Sequence, residues 1–106
     1  MIHAGTPRAE RAGGTLDIWV SGDLDHDERD AVIQLLDEHA TAELHEVVFH
    51  LAEVRFVASA GLATLLYARR LVDAQGGRVT LIDPSANLIR LLDVSGVTGL
   101  FSIKLS

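Results

Sequence analysis

The sequence contains no cysteine, which excludes a disulfide framework, a thiolate metal site and a cysteine nucleophile. Two prolines and nine glycines in 106 residues are too few for a collagen-like or low-complexity chain. Uninterrupted apolar runs are short, Leu65–Ala68 being typical, whereas a bilayer span needs roughly 20 residues. Basic side chains are scarce as well. Nine stand against fifteen acidic ones, and the resulting formal net charge of -6 repels both a nucleic-acid backbone and an anionic membrane surface. Residues 1–14 carry Arg8 and Arg11 but no apolar stretch, so they do not read as a secretory signal. They read as a loosely held arm or a weak first strand, and the cytoplasm is the expected compartment.

What is present is a globular composition, 48% hydrophobic, in a length that accommodates one domain with one core. Leu16–Val20 opens with apolar-polar alternation and carries β-branched and aromatic residues, which predicts a strand that Ser21-Gly22-Asp23 ends. From Asp25 the period changes. Val32, Leu35, Leu36 and Ala40 form the apolar stripe of an amphipathic helix, and Asp25 with Glu28 matches a capping box. Val47–Leu51 is almost continuously apolar, the pattern of a strand covered on both faces, and Ala52–Ala58 is expected to connect it to the next helix.

That helix is predicted over Ala60–Gln75, with Leu62, Leu65, Leu66 and Val72 inward and Gly76-Gly77 closing it. Ala63 and Tyr67 on its remaining face predict deeper burial than the first helix has, with Arg69 and Arg70 on the exposed side. Arg78–Asp83 is a third strand, stopped by Pro84. Ser85 caps a third helix with Leu88, Leu91 and Leu92 buried and Gly96 at its end, and Leu100–Leu105 is a last short strand. Strand, helix and strand from Val47 to Asp83 make one parallel βαβ unit. Its loop Ala52–Ser59 leaves the carboxyl end of a strand, where open α/β sheets place function.

Ser59, in Val57-Ala58-Ser59-Ala60-Gly61-Leu62, is the residue to single out. As an N-cap it accepts a hydrogen bond from an amide two or three residues ahead, and its loss costs about 1 kcal/mol. As a regulated hydroxyl it could receive a phosphate, about -1.5 to -2 charges, that free amides and the helix dipole can hold. The small neighbours Ala58, Ala60 and Gly61 leave room for another protein to approach. Asp23, Asp25, His26, Asp27 and Asp30 could be read as a metal-dependent hydrolase site, but metal centres draw ligands from several rigid elements. A capped, acidic helix start accounts for the cluster without a metal. His50, inside an apolar strand, reads as a core histidine bonded to a neighbouring backbone group rather than a base. No glycine-rich phosphate cradle is present, and neither a catalytic residue nor a cofactor is expected.

Four segments in this order resemble the STAS domain, the fold of anti-sigma factor antagonists and of the cytoplasmic tails of sulfate transporters. They are Val20–Asp25, Val47–Leu51, Phe56–Leu62 and Leu91–Val97, and the likeness covers nearly all of Leu16–Ile103. The resemblance implies an α/β single domain over residues 15–106, a mixed central sheet with amphipathic helices mainly on one face. It implies a binding switch rather than an enzyme: an anti-sigma factor antagonist whose partner, usually a serine protein kinase, phosphorylates Ser59, with a phosphatase resetting it. It also implies a partner surface made of Gly22, Asp23, Asp25, Phe56, Ala58, Ser59, Ala60 and Gly61. Where the family commonly has an aspartate before the serine, a second serine after it and an aspartate in the preceding strand, this chain has Ala58, Ala60 and His50. The alternative is a constitutive STAS module of a larger signalling, stress-sensing or transport complex, never phosphorylated. The chain is expected to be a monomer or a weak homodimer.

Overall fold

The structure, a computed structural model, describes residues 7–106 apart from the side chains of His26 and Asp27. The first part of the expected N-terminal arm, residues 1–6, lies outside the described residues. In chain order the elements are β1 (Arg8–Ala12), β2 (Thr15–Leu24), α1 (His26–Glu38), β3 (Glu46–Val57), α2 (Ser59–Asp73), β4 (Arg78–Ile82), α3 (Ala86–Val94), a 3-10 turn (Thr98–Leu100) and β5 (Ser102–Lys104). The strands form one sheet in the order β1-β2-β3-β4-β5. Only the β1–β2 hairpin is antiparallel; β2, β3, β4 and β5 run parallel.

Side-chain alternation divides the sheet into two unlike faces. Leu16, Ile18 and Val20 of β2, Val47, Phe49 and Leu51 of β3, and Val79 and Leu81 of β4 are buried and join one core with Val32, Leu36, Leu65, Ala68, Val72, Leu88 and Leu92 of the helices. Burying each such side chain contributes about 1.5–3 kcal/mol. On the other face the register places Arg8, Trp19, His50, Ile82 and Lys104 in one row across all five strands. The Trp19 and His50 rings stack with centroids 4.4 Å apart, and the Arg8 guanidinium lies 4.5 Å from the Trp19 ring centroid. These spacings match the distance between neighbouring strands, so the row is a consequence of register.

Val47–Leu51 is therefore not covered by helices on both faces. His50 is half-buried on the open face, and its Nε2 meets the Asp17 carboxylate at 2.7 Å instead of a backbone group. The parallel βαβ arrangement of β3, α2 and β4 is present as expected.

Two strands are longer than their sequence patterns. β2 does not end at Ser21-Gly22-Asp23 but continues to Leu24, and Ala52–Val57 is the second half of β3, not a loop. The reason is a pair of register shifts, between Trp19 and Ser21 and between Gly22 and Asp23. Such bulges insert residues without ending the pairing, and they break the two-residue burial period by which a strand is recognised. In β3 the buried residues after Leu51 are Val54 and Val57, three apart. Gly22 sits at the second shift with φ of 79°, a conformation that disfavours a side chain.

The helices differ from expectation in detail. In α1, Val32 and Leu36 are fully buried, Leu35 is half-buried, and Ala40 lies past the helix end, exposed. α2 starts one residue earlier and ends two earlier than predicted, and its Ala63 is exposed. Helix–helix packing covers only one side of α2, so its outer stripe stays open. In α3 the Ser85 hydroxyl accepts from the Leu88 amide at 3.1 Å, as read from the sequence; Leu88 and Leu92 are buried and Leu91 is half-buried.

Candidate functional site

The two segments singled out at the ends of β2 and β3 are joined by the strand ladder. Asp23 pairs with Phe56 and Leu24 with Val57, and the Ala58 amide donates to the Leu24 carbonyl at 3.0 Å. That last bond holds Ala58 in extended geometry, φ -87° and ψ 174°, as a continuation of the ladder. The Ala58 carbonyl in turn accepts from the amides of Gly61 at 2.9 Å and Leu62 at 3.1 Å, the first bonds of α2.

Ala58, not Ser59, is therefore the N-cap, and no side chain among the described residues caps the helix. The expectation that Ser59 caps α2 is corrected by this one-residue displacement. Ser59 is the first helical residue, exposed, and its hydroxyl has no hydrogen-bond partner among the described residues. With the Gly61 and Leu62 amides engaged by Ala58, those of Ser59 and Ala60 have no backbone acceptor among the described residues, so an anion carried by Ser59 would meet these donors and the positive end of the helix dipole.

The surroundings of Ser59 are small and partly apolar. Ala58 and Ala60 are half-buried, Asp23 is exposed, and Phe56 is 49% exposed, a large aromatic turned to solvent. Gly61 is there for space: a Cβ at this position would lie 2.5 Å from the Leu24 carbonyl oxygen and 2.8 Å from Val57 Cγ1. The start of α2 is thus pressed onto the ends of β2 and β3, which fixes where Ser59 emerges.

Asn87 was not read from the sequence. Its Oδ1 accepts from the Val57 amide at 2.8 Å and ties the end of β3 to the first turn of α3. An asparagine two residues after a capping serine carries no pattern that would mark it for this task. Asp25 precedes α1, its carbonyl accepting from the Arg29 amide at 3.0 Å. Of the acidic cluster at this helix start, the side chains of His26 and Asp27 are outside the described residues, and among the described residues no three His, Asp or Glu converge as metal ligands would. His50 is not brought to Ser59; its contacts are Asp17 and Trp19 on the open face, where a cavity of about 400 Å³ is lined by Arg8, Trp19, Ser21, His50, Glu53 and Asp83 among others.

Among the described residues no helix is long and apolar enough to cross a membrane. Residues 6–106 match the family model described as STAS domain. The chain is 33% identical over 89 residues to an anti-sigma F factor antagonist of Paenibacillus polymyxa, covering 83% of this chain and 76% of that protein. Its fold is similar to that of the anti-sigma factor antagonist SpoIIAA in its unphosphorylated form, with a TM-score of 0.76 at 18% identity over 94% of this chain and 87% of the other. The phosphorylated form of the Bacillus SpoIIAA is as similar, with a TM-score of 0.76 at 20% identity over 92% and 89%. An anti-sigma factor antagonist from Mycobacterium paratuberculosis has a TM-score of 0.70 at 19% identity over 93% and 84%. A five-stranded mixed sheet with its helices on one face, matched along nearly its whole length by the family model, places this chain in the STAS domain family.

Proposed function

We propose that this chain is an anti-sigma factor antagonist that docks an anti-sigma factor on the corner formed by Gly22, Asp23, Asp25, Phe56, Ala58, Ser59, Ala60 and Gly61. A partner serine kinase, in this reading, transfers the γ-phosphoryl of a nucleoside triphosphate to the Ser59 Oγ. The new P–O bond replaces the hydroxyl O–H, and the nucleoside diphosphate leaves. The observation that carries the reading is the exposed Ser59 hydroxyl, unpartnered among the described residues, in the first turn of α2. It is supported by the Paenibacillus polymyxa relative and by the likeness to SpoIIAA structures of both phosphorylation states.

The switch follows from electrostatics. A phosphate of about -1.5 to -2 charges in a closely packed interface must be desolvated or is repelled, so the bound state loses stability. Nearby Asp23 and Asp25 add like charge rather than compensation. A phosphatase then restores the neutral surface. The work takes place wherever the anti-sigma factor resides, which for a regulator of transcription is the cytoplasm.

The test is titration of the purified anti-sigma factors of the source bacterium against three forms of the chain. Ser59→Asp is expected to weaken binding about 100-fold, equivalent to about 2.7 kcal/mol, at unchanged melting temperature. Ser59→Ala keeps the affinity and accepts no phosphate. Equal affinity of Ser59→Asp and the native chain defeats the proposal. A second reading, the constitutive module, is favoured by the alanines at 58 and 60, which strip polar groups from the flanks of Ser59. An intact mass without phosphate in every growth condition selects it.

A further inference from the structure

The backbone that leads into Ser59 is held unevenly on its two sides. β2 stays paired with β3 as far as Leu24 and Val57, whereas β4 leaves β3 after His50 and Ile82. Among the described residues, positions 51–57 thus have a neighbouring strand on one side alone. Amides point alternately to the two sides of a strand. That of Ala58 donates to the Leu24 carbonyl, so that of Val57 faces away from β2, where β4 no longer runs. Val57 is buried, and a buried amide without water needs an acceptor.

That acceptor is Asn87 Oδ1 at 2.8 Å, from the second residue of α3. One side-chain oxygen stands where the carbonyl of a longer β4 would. Asn87 Nδ2 makes no hydrogen bond among the described residues, so the oxygen is the working atom. The approach to Ser59 is then fixed at three points: the Val57 amide by Asn87, the Ala58 amide by Leu24, and the Ala58 carbonyl by the amides of Gly61 and Leu62. Of these, the Asn87 bond alone comes from a side chain, and a substitution can remove it while leaving the backbone partners in place.

We infer that Asn87 is a positioning residue for phosphoryl transfer to Ser59: its carboxamide oxygen pins the Val57 amide and so fixes the place from which the Ser59 Oγ leaves the surface. The inference rests on the reading of Ser59 as the phosphorylated hydroxyl and adds the residue, from a different helix, that holds it ready. In the transfer the Ser59 Oγ gains the γ-phosphoryl of a nucleoside triphosphate, the diphosphate leaves, and the hydroxyl proton passes to a base of the kinase. Ser59 lies about 7 Å along extended chain from Val57, so Asn87 acts through the backbone and not by touching the reacting atoms. Attack needs an approach of about 3–3.5 Å, and a misplacement of about 1 Å can cost on the order of 100-fold in rate. Gly22, Asp23 and Asp25 of the docking corner are held by β2 and by the start of α1, which Asn87 does not contact. Loss of the pin therefore falls on kcat more than on KM.

The probe is the purified anti-sigma factor of the source bacterium that phosphorylates the native chain with ATP, and each variant is assayed well below its melting temperature. Asn87→Leu, similar in size but without an acceptor, is expected to lower kcat about 10-fold with KM within about 3-fold. It also speeds hydrogen exchange at the Val57 amide by about 10-fold. Asn87→Ser, too short to reach, behaves in the same way and serves if the leucine variant does not fold. Asn87→Asp keeps an oxygen at the same reach and restores kcat and exchange to within about 3-fold of native. Ser85→Ala loosens the same turn of α3 without removing the bond to Val57, and it keeps the native kcat. Native kcat in both Asn87→Leu and Asn87→Ser, or an equal loss in Ser85→Ala or Asn87→Asp, overturns the positioning role and leaves the Ser59 reading standing. If none of the bacterium's anti-sigma factors phosphorylates the native chain at Ser59, that reading falls and this inference with it.

Discussion

The two strand-to-helix junctions that flank β4 and end β3 are built from similar letters and finished in opposite ways. At the exit of β4 the side chains of Asp83 and Ser85 are both engaged. Asp83, at φ 55°, donates its amide to the Lys104 carbonyl, and its carboxylate accepts from the Ser106 amide at 2.8 Å and the Ser106 hydroxyl at 2.6 Å. Ser85 then caps α3. At the exit of β3 the cap is an alanine, Ser59 stands one residue past it with a hydroxyl unpartnered among the described residues, and Phe56 is left half-exposed. The first junction is closed by its own side chains; the second leaves its serine available. The same residue type caps a helix in one junction and, among the described residues, has no hydrogen-bond partner in the other.

Four substitutions sharpen this contrast. The largest effect is expected at Gly61→Ala, where the new Cβ meets the Leu24 carbonyl oxygen of a backbone that cannot yield. Overpacking of this kind costs about 1–3 kcal/mol and outweighs the gain of about 1 kcal/mol in helix propensity; urea denaturation measures it, and an unchanged midpoint breaks the picture of a pressed junction. Next comes Ser85→Ala, which removes a working cap and should cost about 1 kcal/mol. Ala58→Ser supplies α2 with the cap it lacks and should stabilise by about 0.5–1 kcal/mol, provided the new hydroxyl reaches a first-turn amide. Ser59→Ala should lie within about 0.5 kcal/mol of native, since nothing is lost. If it costs as much as Ser85→Ala, the two junctions are alike after all.

The smallest effect concerns pH. Hydrogen bonds from Ser106 hold the Asp83 carboxyl below its ordinary range. A group whose folded value is lowered contributes stability that is present above its unfolded value and lost as pH falls through the folded one. Asp83→Asn should therefore lower stability slightly near neutrality, where the ionised carboxylate contributes, and flatten part of the acid limb so that variant and native converge at the lowest pH. Asparagine tolerates the positive φ, which keeps the comparison clean.

Much of the fold could be read before the structure. Hydrophobic period separated helices from strands, and Ser85, Leu88 and Leu92 fell where capping and periodicity put them. The candidate site was legible as a list of neighbours in sequence. Its geometry was not. The β2–β3 register shifts hid six residues of strand in what reads as a loop, because bulges erase the alternation that marks strands. The pattern around Ser59 reads as a cap because nothing local tells that the Ala58 amide is held by Leu24 from another strand.

The sequence by itself determined the class of fold and the inward faces, because these depend on period and on residue chemistry within a few positions. Tertiary structure alone decided that Ala58 is the cap, that Asp17 and His50 meet from residues 33 apart, and that Asn87 fastens β3 to α3. Those outcomes hang on register and on crossovers between distant segments, and no local pattern encodes which strand's carbonyl will reach an amide first.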